Sequence, residues 1–305
     1  MKTLKLIFFL FAFSALTAGV ENHFKKAENK GVCSEMRNID FIYVINLDQR
    51  PEKYARCLRQ LGLYGIEPYR FSAVNGWELS LETINDVGVR FEPWMMMEKW
   101  GTYYEMEVEQ HEIVHQIGRT YFCHCTSKGA IGISLSHLSV LQDAYDSGYE
   151  RIWVMEDDID VLADPHRLSE LIDQLNGLVG IGEWDVLFTD PDTKNDRGGY
   201  VPCYGFAWRP NYSPPNPERF YQRADVGGDF RRIGARFGAY SMIVQRSGMK
   251  KILDFIKQYQ IFLPYDMDFI LPPDIRLYSL TYDVVSTQPN APSDNGLPTY
   301  KNRSY

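Results

Sequence analysis

The stretch FIYVINLDQRPEKYARCLRQLGLYGIEPYRFSAV, residues 41–74, decides the fold class. It opens with an almost continuous apolar run of the length of a buried strand. Pro51 suits the first turn of a helix, Gly62 suits the C-terminal cap of that helix, and YRFSAV at 69–74 predicts a second strand. A strand, a helix and a strand in this order form the unit of a parallel sheet, so the stretch predicts an α/β protein.

The same alternation of elements continues along the chain. Candidate strands at residues 151–155, 184–190 and 238–245 contain apolar runs of strand length. The segments at 134–148 and 247–258 instead place their apolar residues three and four apart, as on one face of a helix. We therefore expect a doubly wound α/β domain with a mostly parallel central sheet and helices on both faces.

Composition and charge narrow the class of ligand. The chain has 305 residues, of which 45% are hydrophobic and 24% are charged, as in an ordinary globular protein. Its formal net charge is −8 and it has no basic tract, which argues against nucleic acid as the main partner. A nucleotide stays compatible with these numbers, because it needs only a local cationic pocket. Five cysteines exclude complete internal pairing, and their connectivity cannot be deduced from the sequence.

The N-terminus, MKTLKLIFFLFAFSALTAGV, has the pattern of a signal peptide. Lys2 and Lys5 precede an apolar run that is shorter than a typical membrane span. The pattern predicts export or entry into the secretory pathway, with membrane association if the segment is retained as an anchor. The predicted organisation is a signal peptide or short anchor at 1–20, a polar linker at 21–38, a domain at 39–290 with inserted loops at 76–128 and 191–236, and a C-terminal tail at 291–305.

The octapeptide VMEDDIDV, residues 154–161, ends a predicted buried strand in a cluster of carboxylates. Carboxylates this close repel each other, and each costs free energy if it is desolvated. In an open α/β sheet, ligands bind beyond the carboxyl ends of the strands, where Glu156, Asp157 and Asp158 would lie. Oxygen ligands without thiols suit Mn²⁺ or Mg²⁺. A solvated turn is the alternative interpretation.

A second acidic pair follows an apolar stretch in LPYDMD, residues 263–268. If Asp266 and Asp268 reach the same edge of the sheet as the first cluster, the two clusters could supply metal ligation and a general base. A carboxylate base near a reacting hydroxyl is reasonable chemistry. Taken alone, LPYDMD is also typical of a tight turn.

The stretch at 191–236 breaks the alternation and is rich in glycine, proline, tyrosine and arginine. Its arginines predict either a loop that binds an anion or a solvated irregular loop. They are Arg197, Arg209, Arg219, Arg223, Arg231, Arg232 and Arg236.

Five blocks, in order from about residue 41 to about residue 290, resemble glycosyltransferase family 25. The first is IYVINLDQRPEKYARCLRQLGLYGIEPYRFSAVNG, and the second, KGAIGISLSHLSVLQ, is similar to the Gly-Glu-Ile-Gly-Cys-x-x-Ser-His block of that family. VMEDDIDV is similar to its Leu-Glu-Asp-Asp-Val metal motif, and GAYSMIVQRSGMKKIL and LPYDMD resemble the blocks that follow. The chain departs from the family pattern at Asn75, where Asp is usual, at Ala130, where Glu is usual, and at Ile133, where Cys is usual.

The resemblance implies a GT-A fold and a metal-dependent, inverting transfer of galactose or glucose from a UDP-sugar. The acceptors it implies are sugars of lipooligosaccharide or hydroxylysine of collagen-like chains. Carried over by position, it assigns Asn46, Leu47 and Arg50 to the nucleotide, and Gly132, Ser136 and His137 to the donor pocket. It also assigns Glu156 and Asp158 to a Mn²⁺ or Mg²⁺ ion with the diphosphate, and Asp266 or Asp268 to catalysis near the acceptor.

Two other functional classes stay open. HEIVH, residues 111–115, matches the His-Glu-x-x-His pattern, which on a helix places two histidines on zinc and a glutamate as general base. Cys-His-Cys at 123–125 adds candidate soft ligands. These motifs would make the protein a zinc-dependent hydrolase with His111, Glu112 and His115 at its site. The third class is a non-catalytic sugar-binding protein on a transferase fold, since a fold does not secure an activity.

Overall fold

The computed structural model describes residues 19–31, 36–95, 100–105, 108–193, 197–199, 201, 208–298 and 300. The predicted signal peptide lies outside the described residues except for its last two positions, and Cys33 and Cys203 also lie outside them. Among the residues described, no helix is long and apolar enough to cross a membrane.

The described part of the chain forms a central sheet of eight strands, a four-stranded sheet, a two-stranded sheet and the helices around them. The strands are β1 (Phe41–Asn46), β2 (Tyr69–Ser72), β3 (Val89–Arg90), β4 (Trp100–Glu105), β5 (Val108–Ile113), β6 (Thr120–Cys123), β7 (Arg151–Glu156), β8 (Ile159–Val161), β9 (Val186–Phe188), β10 (Arg223–Gly227), β11 (Phe230–Ile233), β12 (Ser241–Gln245), β13 (Leu277–Leu280) and β14 (Val285–Thr287). The α-helices are α1 (Pro51–Gly62), α2 (Leu81–Val87), α3 (Lys128–Asp146), α4 (Arg167–Val179), α5 (Arg246–Tyr259) and α6 (Tyr265–Asp268). Short 3-10 helices lie at Val20–His23, Gly76–Glu78 and Pro217–Tyr221. The central sheet has the strand order β10-β11-β13-β9-β12-β7-β1-β2, and β8 pairs with β14.

The predicted strand, helix and strand unit is present as β1, α1 and β2. β1 pairs in parallel with β2 on one side and with β7 on the other. In this register Ile45 lies opposite both Phe71 and Glu156, so the carboxyl ends of three strands meet at one edge. Pro51 begins α1, where its fixed φ is compatible with a helix and its missing N–H costs nothing. The shared edge is where an α/β sheet is expected to bind its ligand.

The side chains of β1 alternate between two apolar cores, which explains its almost uninterrupted apolar sequence. Phe41, Tyr43 and Ile45 pack into one core with residues of α3 and α5. Ile42 and Val44 pack into the other with residues of α1 and α4. A strand that is buried on both faces needs no polar face. Helices thus cover both faces of the central sheet, as predicted.

The central sheet is mixed, so the prediction of a mostly parallel sheet is wrong. The parallel pairings are β1 with β2, β1 with β7, and β9 with β13. β12 runs antiparallel between β7 and β9. The reason is the route of the chain, because β12 starts at the carboxyl edge, with Ser241 opposite Met155 of β7. β11 ends at the amino edge, with Ile233 opposite Leu277, and residues 234–240 return the chain to the carboxyl edge, so β12 runs antiparallel to β9.

The two stretches predicted as inserted loops contain secondary structure. Residues 76–128 hold α2 and a separate sheet with the strand order β3-β6-β4-β5. Residues 191–236 hold β10 and β11, which extend the central sheet beyond β13. β10 has the sequence RADVG, which lacks the apolar run or the regular alternation that predicts a strand. Composition therefore predicted a loop where sheet pairing makes a strand.

The zinc-hydrolase interpretation of HEIVH is wrong, because the motif does not lie on a helix. His111, Glu112 and Ile113 belong to β5. His115 lies beyond the end of β5, so the two histidines do not share the helical face that the motif requires. His111 Nδ1 instead lies 3.0 Å from Thr102 Oγ1, and the Tyr103 hydroxyl donates to Glu112 Oε1 at 2.7 Å. These contacts tie β5 to β4.

The described part of the predicted polar linker at 21–38 packs along the domain. Lys25 N donates to Ser139 Oγ of α3 at 2.8 Å, and Lys25 Nζ donates to Ser72 Oγ at the end of β2 at 2.6 Å. His23 Nε2 lies 3.2 Å from Asp86 Oδ2 of α2. The residues before β1 therefore join three elements of the domain.

Candidate active site

A cavity of about 650 Å³ opens at the carboxyl edge of β1 and β7, where the fold predicts a ligand site. Several of the predicted site residues line it, namely Leu47, Ser136, His137, Glu156 and Asp158. Its other walls include Lys53, Asn75, Trp77, Asp157 and residues 293–295. Of the residues predicted for the nucleotide and the donor pocket, three do not line it, and these are Asn46, Arg50 and Gly132.

Glu156 is the last residue of β7, and a histidine of α3 holds it in place. His137 Nε2 lies 2.9 Å from Glu156 Oε1. The ring of His137 stacks on Tyr265, with the ring centroids 4.2 Å apart and the planes 12° from parallel. Both rings are buried, so the stack fixes the plane of the imidazole. Because Nε2 faces a carboxylate, we assign the ring proton to this nitrogen.

Asp158 is the least satisfied carboxylate of the site. Its Oδ1 atom is buried and has no hydrogen-bond partner in the described part of the chain. Burial raises the pKa of Asp158 to about 7, and the charges of Glu156 and Asp157 contribute to the rise. A divalent cation would supply the missing partner and reduce the repulsion among the three carboxylates. These oxygen donors are the ligands that Mg²⁺ and Mn²⁺ prefer, so the residues fit the predicted metal.

Asn46 lies behind the cavity wall and supports residues that form it. Its Nδ2 atom donates to Asp157 Oδ2 at 2.7 Å and to the Arg50 carbonyl oxygen at 2.8 Å. Its Oδ1 atom accepts a hydrogen bond from Arg70 Nε at 2.7 Å. Lys53 Nζ lies 3.4 Å from the other oxygen of Asp157, inside the cavity. Asn46, at the end of β1, therefore positions Asp157 of the carboxylate cluster, which lies at the end of β7.

Arg50 is also buried behind the wall, where it binds a residue of the predicted C-terminal tail. Its Nε and Nη2 atoms donate to the two carboxylate oxygens of Asp294, each at 2.6 Å. Bidentate arginine–carboxylate pairs of this kind are strong and directional. Trp77 Nε1 donates to the Asp294 carbonyl oxygen at 2.8 Å. Residues 293–295, which we call the wall segment, thus close one side of the cavity.

Gly132 shapes the cavity through close packing. A Cβ atom on Gly132 would lie 2.4 Å from Gly76 N, and a Cβ atom on Gly76 would lie 1.8 Å from the Lys128 carbonyl oxygen. Only glycine permits backbones to approach this closely. The contact sets the 3-10 helix that carries Trp77 directly against α3. Gly132 therefore acts on the cavity without touching it.

A second cavity, of about 520 Å³, adjoins the first and holds Asp266. The two cavities share part of their lining, namely Ile133, Glu156, Ser293 and Asn295. Gly238 N donates to Asp266 Oδ2 at 2.9 Å. Burial raises the pKa of the Asp266 carboxyl. Glu156 therefore lies at the junction, with Asp158 in the first cavity and Asp266 in the second.

Asp268, the alternative to Asp266 as a catalytic residue, lines neither cavity. It is buried and forms an ion pair with Arg209. Its Oδ2 atom accepts hydrogen bonds from the backbone N–H groups of Phe262 and Leu263, each at 3.1 Å. A carboxylate with these partners stabilises the fold. The geometry therefore favours Asp266 and removes Asp268 as an acid or base at the site.

Arginines of 191–236 join parts of this stretch to each other and to the rest of the domain. Among the less exposed arginines, three form ion pairs, namely Arg209 with Asp268, Arg223 with Asp192 and Arg236 with Asp190. Arg219 Nη2 donates to the backbone carbonyl oxygens of residues 270–272 at 2.8 to 3.0 Å. The anion-binding interpretation is therefore wrong for these four side chains, because protein groups already satisfy them.

The sequence patterns did not identify Lys53, Trp77 or Asp294 as cavity residues. Lys53 does carry a readable signal, because it lies in the first turn of α1 directly after β1. A lysine and a helix N-terminus at that place both favour an anion. Trp77 follows a predicted turn, which alone does not indicate a binding role. Asp294 has no local signal, because it lies 244 residues from Arg50 in the chain.

Fold and site together define a class of protein, an α/β domain with an acidic ligand cavity at the carboxyl edge of its central sheet. The family model for "Glycosyltransferase family 25 (LPS biosynthesis protein)" matches residues 39–270. The chain therefore belongs to glycosyltransferase family 25.

Curated relatives carry the same family name. The chain is 28% identical over 167 residues to a "Glycosyltransferase 25 family member" of Drosophila melanogaster. The matched region covers 55% of the chain and 23% of that relative. It is 26% identical over 157 residues to a protein of the same name from Aedes aegypti, and the matched region covers 52% of the chain and 22% of that relative. It is 30% identical over 120 residues to the human "Inactive glycosyltransferase 25 family member 3", which covers 39% and 16%. The matched part of the chain thus covers less than a quarter of the length of these relatives.

Proposed function

We propose that the protein is a hexosyltransferase that moves galactose or glucose from a UDP-sugar to a glycan or hydroxylysine-type acceptor, with inversion at the anomeric carbon. The observation that carries this proposal is the junction of two cavities at Glu156, with Asp158 on one side and Asp266 on the other. A transferase must hold two substrates side by side in a fixed orientation. The first cavity would hold the donor and the second the acceptor.

The lining of the first cavity supports a nucleotide sugar as the donor. Leu47 and Trp77 offer apolar surface for the base, and Lys53 offers a cation for the diphosphate. Glu156 and Asp158 would hold a Mn²⁺ or Mg²⁺ ion against the diphosphate. When bound, the ion would neutralise the charge that develops on the leaving UDP.

The described residues contain no group of three His, Cys, Asp or Glu side chains that could hold a metal ion. We infer that diphosphate oxygens and water would complete the coordination, as they commonly do for Mg²⁺. Metal and donor are then expected to bind together, each raising the affinity of the other.

Asp266 would act as the general base. Burial raises its pKa, which brings the carboxyl closer to the pH at which a base is most effective. The Gly238 N–H group holds one of its oxygens. In the proposed step the acceptor hydroxyl loses its proton to Asp266, its oxygen attacks the anomeric carbon, and the bond to UDP breaks on the opposite face. His137 and Tyr265 keep Glu156 in place at the junction during this step.

A thermal-shift titration tests the donor site. UDP together with Mn²⁺ should raise the melting temperature more than the sum of the separate shifts, because a ligand that binds only the folded state stabilises it. Asp158→Asn should lose this joint effect, whereas the surface control Asp173→Asn on α4 should keep it. If UDP with Mn²⁺ leaves the melting temperature of the wild-type protein unchanged, the donor site is refuted.

Release of UDP from UDP-galactose or UDP-glucose, with and without acceptor, tests the activity. Asp266→Asn should bind UDP with Mn²⁺ as the wild type does and lose turnover. A non-catalytic sugar-binding protein is the second candidate, and the relatives named inactive favour it. Wild-type protein that binds the UDP-sugar and never releases UDP with any acceptor would favour that candidate.

A further inference from the structure

Cys123 and Cys125, separated by one residue, lie in the turn that joins β6 to α3. Thr126 N donates to the Cys123 carbonyl oxygen at 2.9 Å, which closes a four-residue turn. This turn folds Cys125 back so that its Sγ atom lies 3.2 Å from Cys123 Sγ. Cys123 N also donates to the Phe262 carbonyl oxygen at 2.9 Å, which anchors the turn to the domain. Backbone hydrogen bonds therefore bring the two sulfur atoms into contact.

The two sulfur atoms differ in access to solvent. Cys125 is exposed, whereas Cys123 is buried. A disulfide needs the two sulfur atoms about 2.0 Å apart, so sulfur atoms that already lie 3.2 Å apart need only a short further approach. Cys57 offers a contrast, because it lies on the buried face of α1 and its Sγ atom lies 3.3 Å from the Asp157 carbonyl oxygen. Burial raises the pKa of Cys57 to about 12, so it is expected to stay a thiol.

We propose that Cys123 and Cys125 form a reversible thiol–disulfide pair, in which exposed Cys125 reacts with an external disulfide and buried Cys123 displaces it. This pair is independent of the proposed sugar transfer and of the zinc interpretation of the same residues. It assigns two of the five cysteines to each other.

The reaction with a small-molecule disulfide such as glutathione disulfide takes two steps. The Cys125 thiolate attacks one glutathione sulfur, an S–S bond forms, and one glutathione thiolate leaves. The Cys123 thiolate then attacks the Cys125 sulfur, the protein disulfide forms, and the second glutathione thiolate leaves. The two cysteine thiols are oxidised, one glutathione disulfide is reduced, and the two protons pass to the released thiolates.

The electrostatics of the pair support the second step. The hydrogen bond from the Cys125 thiol lowers the pKa of Cys123 to about 6, so the buried sulfur is readily available as a thiolate. The same hydrogen bond and burial raise the pKa of Cys125. The first step should therefore accelerate as the pH rises above 7, because it needs Cys125 as a thiolate.

Differential alkylation of the whole protein tests the proposal. The reduced protein is incubated with glutathione disulfide, quenched in acid, alkylated under denaturing conditions and digested for mass spectrometry. The peptide with residues 123–125 should lose two hydrogens, take up no alkyl group and carry no glutathione. Cys57 in the same sample should be fully alkylated.

Two variants separate the roles of the two sulfur atoms. Cys123→Ser should trap a stable glutathione adduct on Cys125, because the displacing thiolate is missing. Cys125→Ser should leave Cys123 without an adduct, because it is buried. The proposal is overturned if the wild-type protein keeps both thiols under conditions that oxidise dithiothreitol, or accumulates the adduct on Cys125. A cross-link from this peptide to Cys33 or Cys203 would overturn it as well.

Discussion

Replacing Asp294 with asparagine should destabilise the protein, because it removes the charge that neutralises Arg50. The guanidinium of Arg50 is 1% exposed and the carboxylate of Asp294 is 8% exposed, so neither is well solvated. Breaking a buried pair by removing one partner typically costs about 3–5 kcal/mol, whereas an exposed pair contributes less than about 1 kcal/mol. Glu52 Oε1 lies 3.3 Å from Arg50 Nη1 and remains in the variant. We therefore expect an intermediate loss of about 2 kcal/mol in the free energy of unfolding.

Urea unfolding followed by tryptophan fluorescence measures this loss, provided that the slope with denaturant is unchanged. The matched control is Asp173→Asn, which breaks an ion pair with Arg37 in which both side chains are about half exposed. The control should unfold close to the wild-type urea concentration, and the Asp294→Asn variant should unfold at a clearly lower one. Equal midpoints for the two variants would show that the wall segment is not held by a desolvated charge pair. The affinity for UDP should fall in the Asp294→Asn variant and stay unchanged in the control.

Three further predictions concern the helices, the carboxylate cluster and the core. Gly129→Ala places a Cβ atom 2.3 Å from a carbonyl oxygen of the wall segment, so calorimetry should show weaker UDP binding. The control is Gly177→Ala in α4, where the new Cβ atom meets no atom within 4 Å and UDP binding should be unchanged. Burial raises the pKa of Asp158 to about 7, so between about pH 4 and pH 7 this carboxyl holds a proton in the folded protein. In the unfolded protein the same carboxyl releases its proton near pH 4. The free energy of unfolding should therefore fall as the pH rises from about 4 to about 7, and Asp158→Asn should reduce this dependence in urea titrations; an identical slope in both proteins would contradict the assignment. Asp268→Asn leaves the buried guanidinium of Arg209 without its carboxylate and should cost about 3–5 kcal/mol, visible as a large drop in the urea midpoint; a midpoint near that of the surface control would contradict the structural role of this pair.

The sequence predicted best those elements that are decided by local pattern. The apolar run of β1, the proline that begins α1 and the acidic end of β7 lie where the pattern placed them, whereas the C-terminal cap of α1 is Leu63, one residue after the predicted Gly62. Glu156 and Asp158 reach one cavity with Ser136 and His137, as the resemblance implied. These features depend on residues near each other in the chain, or on motifs whose order is diagnostic.

The failures share a different cause, which is contact between distant segments. The direction of β12 depends on where the preceding segment leaves it, and no periodicity in SMIVQ encodes that direction. Asp266 and Asp268 look equivalent in LPYDMD, but α6 turns one toward a cavity and the other toward Arg209. HEIVH matches a helical motif, but pairing with β4 makes its first three residues part of a strand. In each case tertiary contacts override the local signal.

The pairing of Arg50 with Asp294 also has a consequence for synthesis of the chain. Strand β1 and Arg50 leave the ribosome early, and the carboxylate partner follows 244 residues later. At a synthesis rate of about 5–20 residues per second, roughly 10–50 seconds pass between the synthesis of Arg50 and that of Asp294. During that interval a nascent chain can form the β1, α1 and β2 unit but not the finished cavity. Ribosome-bound chains arrested before residue 293 should therefore fail to retain UDP, and chains extended past the wall segment should acquire this ability in a single step.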